Sequence, residues 1–337
     1  MNYRASAEKV VARNDLSAPE TQELVEAMFD GSLPASRTAF LLGALRAKGE
    51  SAAELLGTSR VMRRHARFID CGGRDAIDIV GTGGDGKNTF NISTTATFVA
   101  CGAGVVIAKH GNRSASSMSG SADVLAALGF NLDCAPEQME AAIRDIGIGF
   151  LFAAKMHPGM GRLAPLRREL GTRTLFNLAG PLCNPAGAIG TVLGVFAPEF
   201  VEIYAEVLRD LGCKRAFVVH GMEGLDEISV ASETRVCELD NGDIKTYSLY
   251  PEMLIGQRFA ENEIAGGTPA ENAAITRAVL DGAGTGAQRA IVLLNAAAAI
   301  VAGGVADNLP GALELAKESI ASGAARGKLA RLIEYSR

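Results

Sequence analysis

Two polar loops, each directly after a short apolar segment, contain the residue types that bind phosphate. The first, the glycine loop, has the sequence "GTGGDGKNTF" at residues 81–90. Consecutive small residues allow backbone N–H groups to converge on phosphate oxygens. Asn91, Ser93 and Thr94 follow it and add side-chain donors where a helix is expected to begin. A plain strand-to-helix turn is the alternative explanation for this loop taken alone.

The glycine loop matches two phosphate-binding fingerprints only in part. Gly81, Gly83 and Gly86 have the spacing of a dinucleotide-binding turn, but the helix-start signals come too late. The next strand also ends in "AKH" and lacks the acidic residue that binds a ribose. Gly86 and Lys87 fit a P-loop, but Asn88 replaces the hydroxyl residue that binds Mg²⁺ there. The loop therefore predicts an anion site of neither type.

The second loop, the serine loop, spans residues 109–121 with the sequence "KHGNRSASSMSGS". Lys109 and Arg113 lie among several serine hydroxyls, which suits a pyrophosphate or a sugar phosphate. A solvated serine-rich loop is again the alternative for this segment alone. Because both loops follow strands of one predicted sheet, a shared polyanion site is favoured.

Asp226 and Glu227 are adjacent acids after the strand-like segment "RAFVVHG". Adjacent acids in a loop are usually only surface residues. Opposite two phosphate-binding loops they become candidate Mg²⁺ ligands, because Mg²⁺ prefers one or two carboxylates together with phosphate oxygens and water. Ser93 can add a further oxygen, so the sequence predicts Mg²⁺ as the cofactor.

The elements that must position these loops form an α/β fold. Before residue 72 only helices are predicted, two of them with capping boxes at Ser17 and Ser51. From Ile77 onward, helical stretches alternate with the strand-like segments "AIDIV", "GVVIAKHG", "GIGFLF", "GTVLGVF" and "RAFVVHG". This alternation predicts a mostly parallel central sheet flanked by helices, beside a smaller all-α N-terminal domain.

The domain boundaries are expected where the pattern changes. Residues 1–72 form the predicted helical domain, and about 157–178 pack back on it because they interrupt the strand–helix alternation. Residues 73–156 and 179–337 form the predicted α/β domain.

Composition narrows the classes of partner and compartment. A net charge of −5 disfavours nucleic acid and membrane surfaces as partners. The longest apolar run, residues 290–306, is interrupted and too short to span a bilayer. The six cysteines form no C-x-x-C pair and the four histidines no H-E-x-x-H motif, which argues against zinc and for a reducing compartment. No signal peptide is visible, so a cytoplasmic protein is expected.

Five ordered segments resemble the anthranilate phosphoribosyltransferases of tryptophan biosynthesis. They are "GTGGDGKNTFNISTTA", "KHGNRSASSMSGSADVLAALG", "LRRELGTRTLFNLAGPLCNPA", "HGMEGLDEIS" and "LLNAAAA", in the family's order and near its spacing. The resemblance implies an active site in the cleft between a helical and an α/β domain, and a homodimer formed through the helical domain. It implies a Mg²⁺-dependent reaction of anthranilate with 5-phosphoribosyl 1-diphosphate (PRPP), giving N-(5-phosphoribosyl)anthranilate and diphosphate.

The resemblance also implies roles for individual residues. Lys109 and Arg167 are the expected catalytic residues, and Ser93, Asp226 and Glu227 the expected metal ligands. Anthranilate would be contacted by Gly81, Asn112 and Arg167, with His110 and His157 along its entry path. PRPP would be held by Gly81, Gly84, Asp85, Thr89, Asn91, Ile92, Ser93, Thr94, Lys109, His110, Gly111, Asn112, Arg113, Ser114, Ala115, Ser116, Ser117 and Ser121.

Two alternatives share this type of fold. A pyrimidine nucleoside phosphorylase-like enzyme would have a "KHSTGG" phosphate loop and an extra C-terminal domain, and the sequence shows neither. A non-catalytic nucleic-acid-binding relative is disfavoured by Asp226, Glu227 and the acidic charge balance. A dehydrogenase using NAD fails on the context of the glycine loop.

Overall fold

The computed structural model describes residues 2–114 and 118–337. The N-terminal part is helical, as predicted, with α1 (Tyr3–Val11), α2 (Ala18–Asp30), α3 (Ala35–Lys48) and α4 (Ala52–Arg64). Both predicted capping boxes are present. Ser17 Oγ accepts from the Glu20 N–H at 3.4 Å, and Ser51 Oγ accepts from the Glu54 N–H at 3.4 Å. These caps satisfy N–H groups that the first turn of a helix leaves open.

The central sheet confirms the predicted α/β class. Its strands are β1 (Ile77–Gly81), β2 (Ile107–Gly111), β3 (Ile148–Phe152), β4 (Gly190–Gly194), β5 (Arg215–Gly221), β6 (Thr234–Asp240) and β7 (Asp243–Leu249). The spatial order is β3-β2-β1-β4-β5-β6-β7, parallel from β3 to β5 and antiparallel from β5 to β7. The five parallel strands correspond to the five strand-like segments of the sequence.

The β6–β7 hairpin extends the sheet beyond what the sequence analysis predicted. Its turn is Asn241-Gly242, with positive φ angles of 50° and 101°. Asn-Gly between two strand-like segments is a strong hairpin signal, because both turn residues must adopt positive φ. This signal was present in the sequence.

Helices cover both faces of the sheet. The connections and the C-terminal part contain α5 (Ile92–Gly102), α6 (Ser121–Leu128), α7 (Pro136–Ile146), α8 (Ala153–Met156), α9 (Met160–Leu170), α10 (Leu175–Ala179), α11 (Phe200–Asp210), α12 (Pro251–Ile255), α13 (Pro269–Leu280), α14 (Gly286–Ala302), α15 (Leu309–Ala321) and α16 (Ala324–Tyr335). The apolar run near residue 290 is therefore the buried helix α14, which packs on α5 and α15. Across the described chain, no helix is both long and apolar enough to cross a membrane.

Two hydrophobic cores divide the side chains between the faces of the sheet. One contains residues of α5, α7 and α14 together with β1, β2 and β3. The other joins α1–α4 to α9, α10 and α11, and includes side chains from β4 and β5. The segment of α9 and α10 thus packs against the N-terminal helices, which is the arrangement expected for residues 157–178. The division into two domains at the expected boundaries stays a prediction.

The pairing of β1 differs between its two neighbours. β1 pairs with β4 over all five of its residues, from Ile77↔Gly190 to Gly81↔Gly194. With β2 it pairs only at Ile77↔Ile107. Toward their carboxyl ends, where ligands bind in open parallel sheets, β1 and β2 therefore separate.

Candidate active site

The glycine loop bends sharply at three glycines. Gly83, Gly84 and Gly86 have φ angles of 63°, 76° and 72°, which side-chain-bearing residues rarely adopt. The N–H of Gly83 donates to Asp226 Oδ2 at 2.8 Å. The Asp226 backbone in turn packs so closely on Gly194 that a Cβ there would lie 1.6 Å from the Asp226 oxygen. The turn between β1 and α5 is thus held directly against the loop after β5, which contains the predicted metal ligands Asp226 and Glu227.

Asn91 connects the glycine loop to the serine loop. It is the N-cap residue of α5, but its side chain makes no capping hydrogen bond. Its Nδ2 donates to the Ser119 carbonyl at 3.0 Å, and its Oδ1 accepts from Ser119 Oγ at 3.0 Å. A third bond comes from Asn272 Nδ2 at 3.0 Å. The first turn of α5 therefore lies beside the serine loop, with the positive end of the helix dipole toward the predicted phosphate site.

Asp123 organises the base of the serine loop. Its Oδ2 accepts the N–H groups of Ser114 and Gly120, both at 3.0 Å, and its Oδ1 accepts from Arg113 at 2.7 Å. Burial alone would raise the pKa of Asp123, but these hydrogen bonds outweigh it and the pKa is lowered. The sequence analysis missed this residue, although an acid three residues after Gly120 is a helix-start signal. The predicted Ala115, Ser116 and Ser117 lie outside the described residues.

Lys109 lies beneath both loops and is only 3% exposed. Its Nζ donates to the carbonyl oxygen of Ile79. Burial lowers the pKa of Lys109, and the negative charges of Asp78 and Glu227 oppose that shift. The structure thus places a buried cation between β1 and the predicted metal ligands.

His110 and His157, which were both predicted to lie along the anthranilate path, form a buried pair. Their Nε2 atoms are 3.2 Å apart, and their rings meet edge to face with centroids 5.0 Å apart. Burial, with smaller contributions from the charges of His157 and Lys109, lowers the pKa of His110 to about 3. Burial also lowers the pKa of His157. Both rings are therefore neutral near pH 7, with one donating a hydrogen bond to the other.

Asp226 and Glu227 lie at the junction of the two loops. Glu227 Oε1 accepts the N–H of Ser93 at 3.1 Å, while Asp226 accepts that of Gly83. Asp85 also brings its carboxyl into hydrogen-bond contact with Asp226. Burial raises the pKa of Asp226 and of Glu227, and the neighbouring acids raise them further. Three acidic groups thus converge where no cationic side chain forms an ion pair with Asp226 or Glu227 among the described residues.

This chemistry fits Mg²⁺ bound jointly with a phosphate ligand. Among the described residues, no group of three or more His, Cys, Asp or Glu is arranged so that it could hold a metal ion by itself. Mg²⁺ needs no such cage, because it usually keeps waters and shares one or two carboxylates with substrate phosphates. The shortage of donors to Asp226 and Glu227 is the feature that a cation would complete.

A cleft of about 1090 Å³ opens beside the glycine loop. Its walls come from α3, α9 and the segment before α10 on one side, and from residues 84–86 of the glycine loop, Asn88 and two phenylalanines on the other. Arg167 of α9 lines it, and the buried Arg167 Nε has no hydrogen-bond partner. Burial lowers the pKa of Arg167. A half-buried guanidinium with an open donor suits a carboxylate ligand.

The other predicted residues lie along the same edge of the sheet. Gly111 approaches Ser121 so closely that a Cβ on it would lie 2.2 Å from Ser121 Oγ. The Asn112 carbonyl accepts from Ser121 Oγ at 3.2 Å. Thr89 forms an isolated β-bridge to Ala265. Ile92 and Thr94 are buried in the first turn of α5, so their contribution to a ligand would come through backbone N–H groups.

Sequence reasoning missed three further polar residues around the site. Arg173 donates to the Gly84 carbonyl at 3.2 Å and stacks on the ring of Phe196, with its guanidinium carbon 3.5 Å from the ring centroid. Asp78 and Asn184 form a buried hydrogen bond at 2.8 Å beneath His110. Asn184 comes from a loop far along the chain, so no local pattern could have identified the pair.

Comparison with models of protein families first identifies the class of protein to which the chain belongs. Residues 6–66 match the model described as "Glycosyl transferase family, helical bundle domain", and residues 73–326 match "Glycosyl transferase family, a/b domain". The helical part and the α/β part are therefore those of a glycosyltransferase family.

Full-length relatives then specify the family. The chain is 51% identical to an anthranilate phosphoribosyltransferase of Syntrophobacter fumaroxidans, over 97% of both chains. It is similar to the crystal structure of that enzyme from Thermus thermophilus, with a TM-score of 0.93, 44% identity and complete coverage of both chains. The Saccharomyces cerevisiae enzyme in complex with PRPP and Mg gives a TM-score of 0.85 at 28% identity, over 99% of this chain and 97% of the other. The chain belongs to the anthranilate phosphoribosyltransferase family, as the sequence resemblance predicted.

Proposed function

We propose that this protein transfers the phosphoribosyl group of PRPP to the amine of anthranilate, in the tryptophan pathway, with Mg²⁺. One observation carries the proposal: Asp226 and Glu227 each accept a backbone N–H at the start of a phosphate-binding element, from Gly83 and Ser93. Family membership supports the substrates, and the yeast relative was solved with PRPP and Mg. The individual residue roles below are part of this proposal.

The diphosphate end of PRPP would meet three sets of donors. They are the backbone N–H groups of the glycine loop, the first turn of α5, and the base of the serine loop from Asn112 to Ser114. Mg²⁺ held by Asp226, Glu227 and Ser93 would neutralise charge on the phosphate oxygens. The buried ammonium of Lys109 adds positive potential beneath them, and its low-dielectric surroundings strengthen that effect.

Anthranilate would lie in the cleft with its carboxylate on Arg167, near Asn112 and Gly81. Its aryl amine is neutral and nucleophilic at pH 7, so the transfer needs no strong general base. The neutral His110–His157 pair suits an aromatic ligand, because neither ring adds a charge to the path. Cleavage of the bond between C1 and diphosphate places negative charge on the leaving group, and correct positioning of the two substrates supplies much of the acceleration.

A homodimer formed through the N-terminal helices is also part of the proposal. Phe40 of α3 is 50% exposed and Val11 of α1 is 62% exposed. α1 packs on α3, and the exposed side of α3 continues from Phe40 to the small residues Gly43 and Ala47. Such an apolar surface supports a protein contact there. We also infer a cytoplasmic location, which the six buried, unpaired cysteines support.

The fluorescence of anthranilate tests the function directly. Purified protein with PRPP and Mg²⁺ should remove the signal, and mixtures without PRPP or without metal should not. Binding of both substrates without turnover would point to a different aromatic acceptor. Absence of PRPP binding by calorimetry would overturn the transferase proposal.

A further inference from the structure

The gap between β1 and β2 is filled by side chains. The regular ladder starts with the Ile77 N–H donating to the Val106 carbonyl at 2.9 Å. Its parallel continuation would join Ile79 to Ala108 and His110 through backbone hydrogen bonds. The pairing instead stops at Ile77↔Ile107. The stretch of β2 that does not pair with β1 contains Lys109 and His110.

Three of the backbone groups released by this gap have side-chain partners. The His110 N–H donates to Asp78 Oδ1 at 3.0 Å, and the Ala108 carbonyl accepts from Asn184 Nδ2 at 2.7 Å. On β1, the Ile79 carbonyl accepts from Lys109 Nζ. Three side chains thus replace backbone partners of the ladder at the His110 N–H, the Ala108 carbonyl and the Ile79 carbonyl.

The Asp78–Asn184 bond fixes the pattern of donors and acceptors. Asn184 Nδ2 donates to Asp78 Oδ2 at 2.8 Å and to Ala108, while Asn184 Oδ1 accepts the Ala186 N–H at 2.9 Å. Every neighbour that bonds to Asp78 is therefore a donor, so the position needs two acceptor oxygens. The two side chains are only 2% and 4% exposed. In such surroundings a wrong donor is costly, because water cannot replace the lost bond.

We propose that Asp78 and Asn184 are positioning residues for the transfer reaction. They hold the end of β2 away from β1, and this separation places the Lys109 ammonium beneath the two phosphate-binding loops and the His110 ring against His157. The inference rests on the proposed function, because it assigns the network a role in PRPP turnover. A sheet that closed the gap would bond Ile79 to β2 and leave Lys109 without its carbonyl partner.

The Asp78→Asn variant tests this inference. Asparagine has nearly the same shape but presents an NH₂ group to a neighbouring donor. We expect kcat to fall by about tenfold or more, because small displacements of charged groups are costly in catalysis. The KM for anthranilate should change less than kcat, since Arg167, the proposed ligand of the anthranilate carboxylate, lies outside the network. Val192→Ala is the matched control, because Val192 is buried opposite Ile79 on β4 and touches none of the network's hydrogen bonds.

A double variant separates positioning from simple destabilisation. If Asp78 acts through Lys109, Asp78→Asn should reduce kcat by less than about threefold when added to Lys109→Met. A further tenfold loss in that background, or a loss in Val192→Ala equal to that in Asp78→Asn at the same melting temperature, would overturn the inference. Asn184→Ala repeats the test if Asp78→Asn does not fold. Failure of both variants to fold would show a structural role only.

A second readout distinguishes this inference from the proposed function. PRPP with Mg²⁺ should raise the melting temperature of the wild type and of Val192→Ala, and raise it less in Asp78→Asn. If the wild type binds PRPP but does not consume anthranilate, the proposed acceptor is wrong. The smaller rise in the melting temperature of Asp78→Asn would still test the role of Asp78 and Asn184. Equal shifts in all three proteins would contradict the inference.

Discussion

Asp78 on β1 and the pair Asp226 and Glu227 in the loop after β5 are acidic groups with different hydrogen-bond partners. Protein donors fill both carboxylate oxygens of Asp78, but not those of Asp226 and Glu227. Both carboxylate oxygens of Asp78 accept hydrogen bonds, Oδ1 from the His110 N–H and Oδ2 from Asn184. Asp226 and Glu227 accept one protein N–H each and face further acids. Burial is the largest cause of the raised pKa in every case. The pKa direction alone therefore does not separate a structural acid from a ligand-binding one.

The number of hydrogen-bond positions without a protein partner distinguishes a structural acid from a ligand-binding one. A buried polar group with all its partners fixes the backbone around it, whereas one that lacks protein partners is available to bind an ion, a water or a ligand. Arg167 belongs with Asp226 and Glu227, because its buried Nε has no partner. Arg173 belongs with Asp78, since it bonds Gly84 and stacks on Phe196. The two groups of residues should respond differently to substitution.

Removing the charges of both Asp226 and Glu227 should have the largest effect on the reaction rate. Asp226→Asn combined with Glu227→Gln should lower kcat/KM by about a hundredfold or more, because the charge on the phosphate oxygens loses its counter-ion. The Mg²⁺ concentration needed for half-maximal rate should rise. Glu261→Gln is the control, since it removes an acid from the exposed pair with Lys87 at 3.0 Å and should change the rate little. An unchanged Mg²⁺ dependence in the double variant would refute the metal assignment.

Arg167→Met should come next, with an effect on one substrate. The KM for anthranilate should rise by about 10- to 100-fold through loss of a charge-assisted hydrogen bond, while the KM for PRPP stays nearly constant. Thermal stability should not fall, because Arg167 Nε makes no protein bond that the change could break. Arg162→Met is the matched control, because Arg162 lies on the same helix but does not line the cleft. An equal rise in both KM values would count against Arg167 as the anthranilate ligand.

Gly84→Ala should have a smaller effect, specific to PRPP. A Cβ on Gly84 would lie 2.2 Å from Arg173 Nη2, and its φ of 76° is already unfavourable for alanine. Gly86→Ala has similar backbone strain at φ 72° but open space around the new Cβ. We expect the KM for PRPP to rise about 3- to 10-fold in Gly84→Ala and less in Gly86→Ala. Equal effects would show that backbone strain, and not the Arg173 contact, limits this loop.

Local sequence patterns predicted the parts of this molecule that depend on neighbouring residues. The capping boxes at Ser17 and Ser51 and the parallel strands follow from spacing that spans a few residues. The Asn241-Gly242 hairpin was equally local and could have been predicted from its turn. The glycine loop and the serine loop could be proposed as phosphate sites because glycine and serine composition is itself a local signal, and their role in binding stays a prediction.

The hydrogen bonds that complete the site join distant parts of the chain. Asp78 meets Asn184 across 106 positions, and Gly83 meets Asp226 across 143. Such pairs form only after the sheet has brought loops of different strands to one edge, so no spacing in the sequence reveals them. Sequence therefore predicted the residue types of the site, while the distinction between Asp78 and Asp226 required the tertiary structure.

The pH dependence of stability gives the smallest expected effect. The pKa values of Asp226 and Glu227 are raised in the folded protein, so the metal-free folded state binds their protons more tightly than the unfolded chain does. Their contribution to stability is complete below the ordinary carboxyl range, near pH 4, and is lost as the pH rises through the raised values. The Asp226→Asn/Glu227→Gln variant has no carboxyl at either position, so its stability does not fall for this reason as the pH rises. Its melting temperature relative to the wild type should therefore increase from pH 5 to pH 8, on the order of a few degrees.

Mg²⁺ provides the control for that measurement. A cation binds the ionised carboxylates, so Mg²⁺ with PRPP should stabilise the wild type more at pH 8 than at pH 5 and should not do so in the double variant. Asp78, whose pKa burial raises to about 6, is present in both proteins and cancels in the difference. If the melting temperatures of the two proteins ran parallel over this range, the pKa values of Asp226 and Glu227 would not be raised in the folded protein, and the buried acidic cluster inferred for these residues would be wrong.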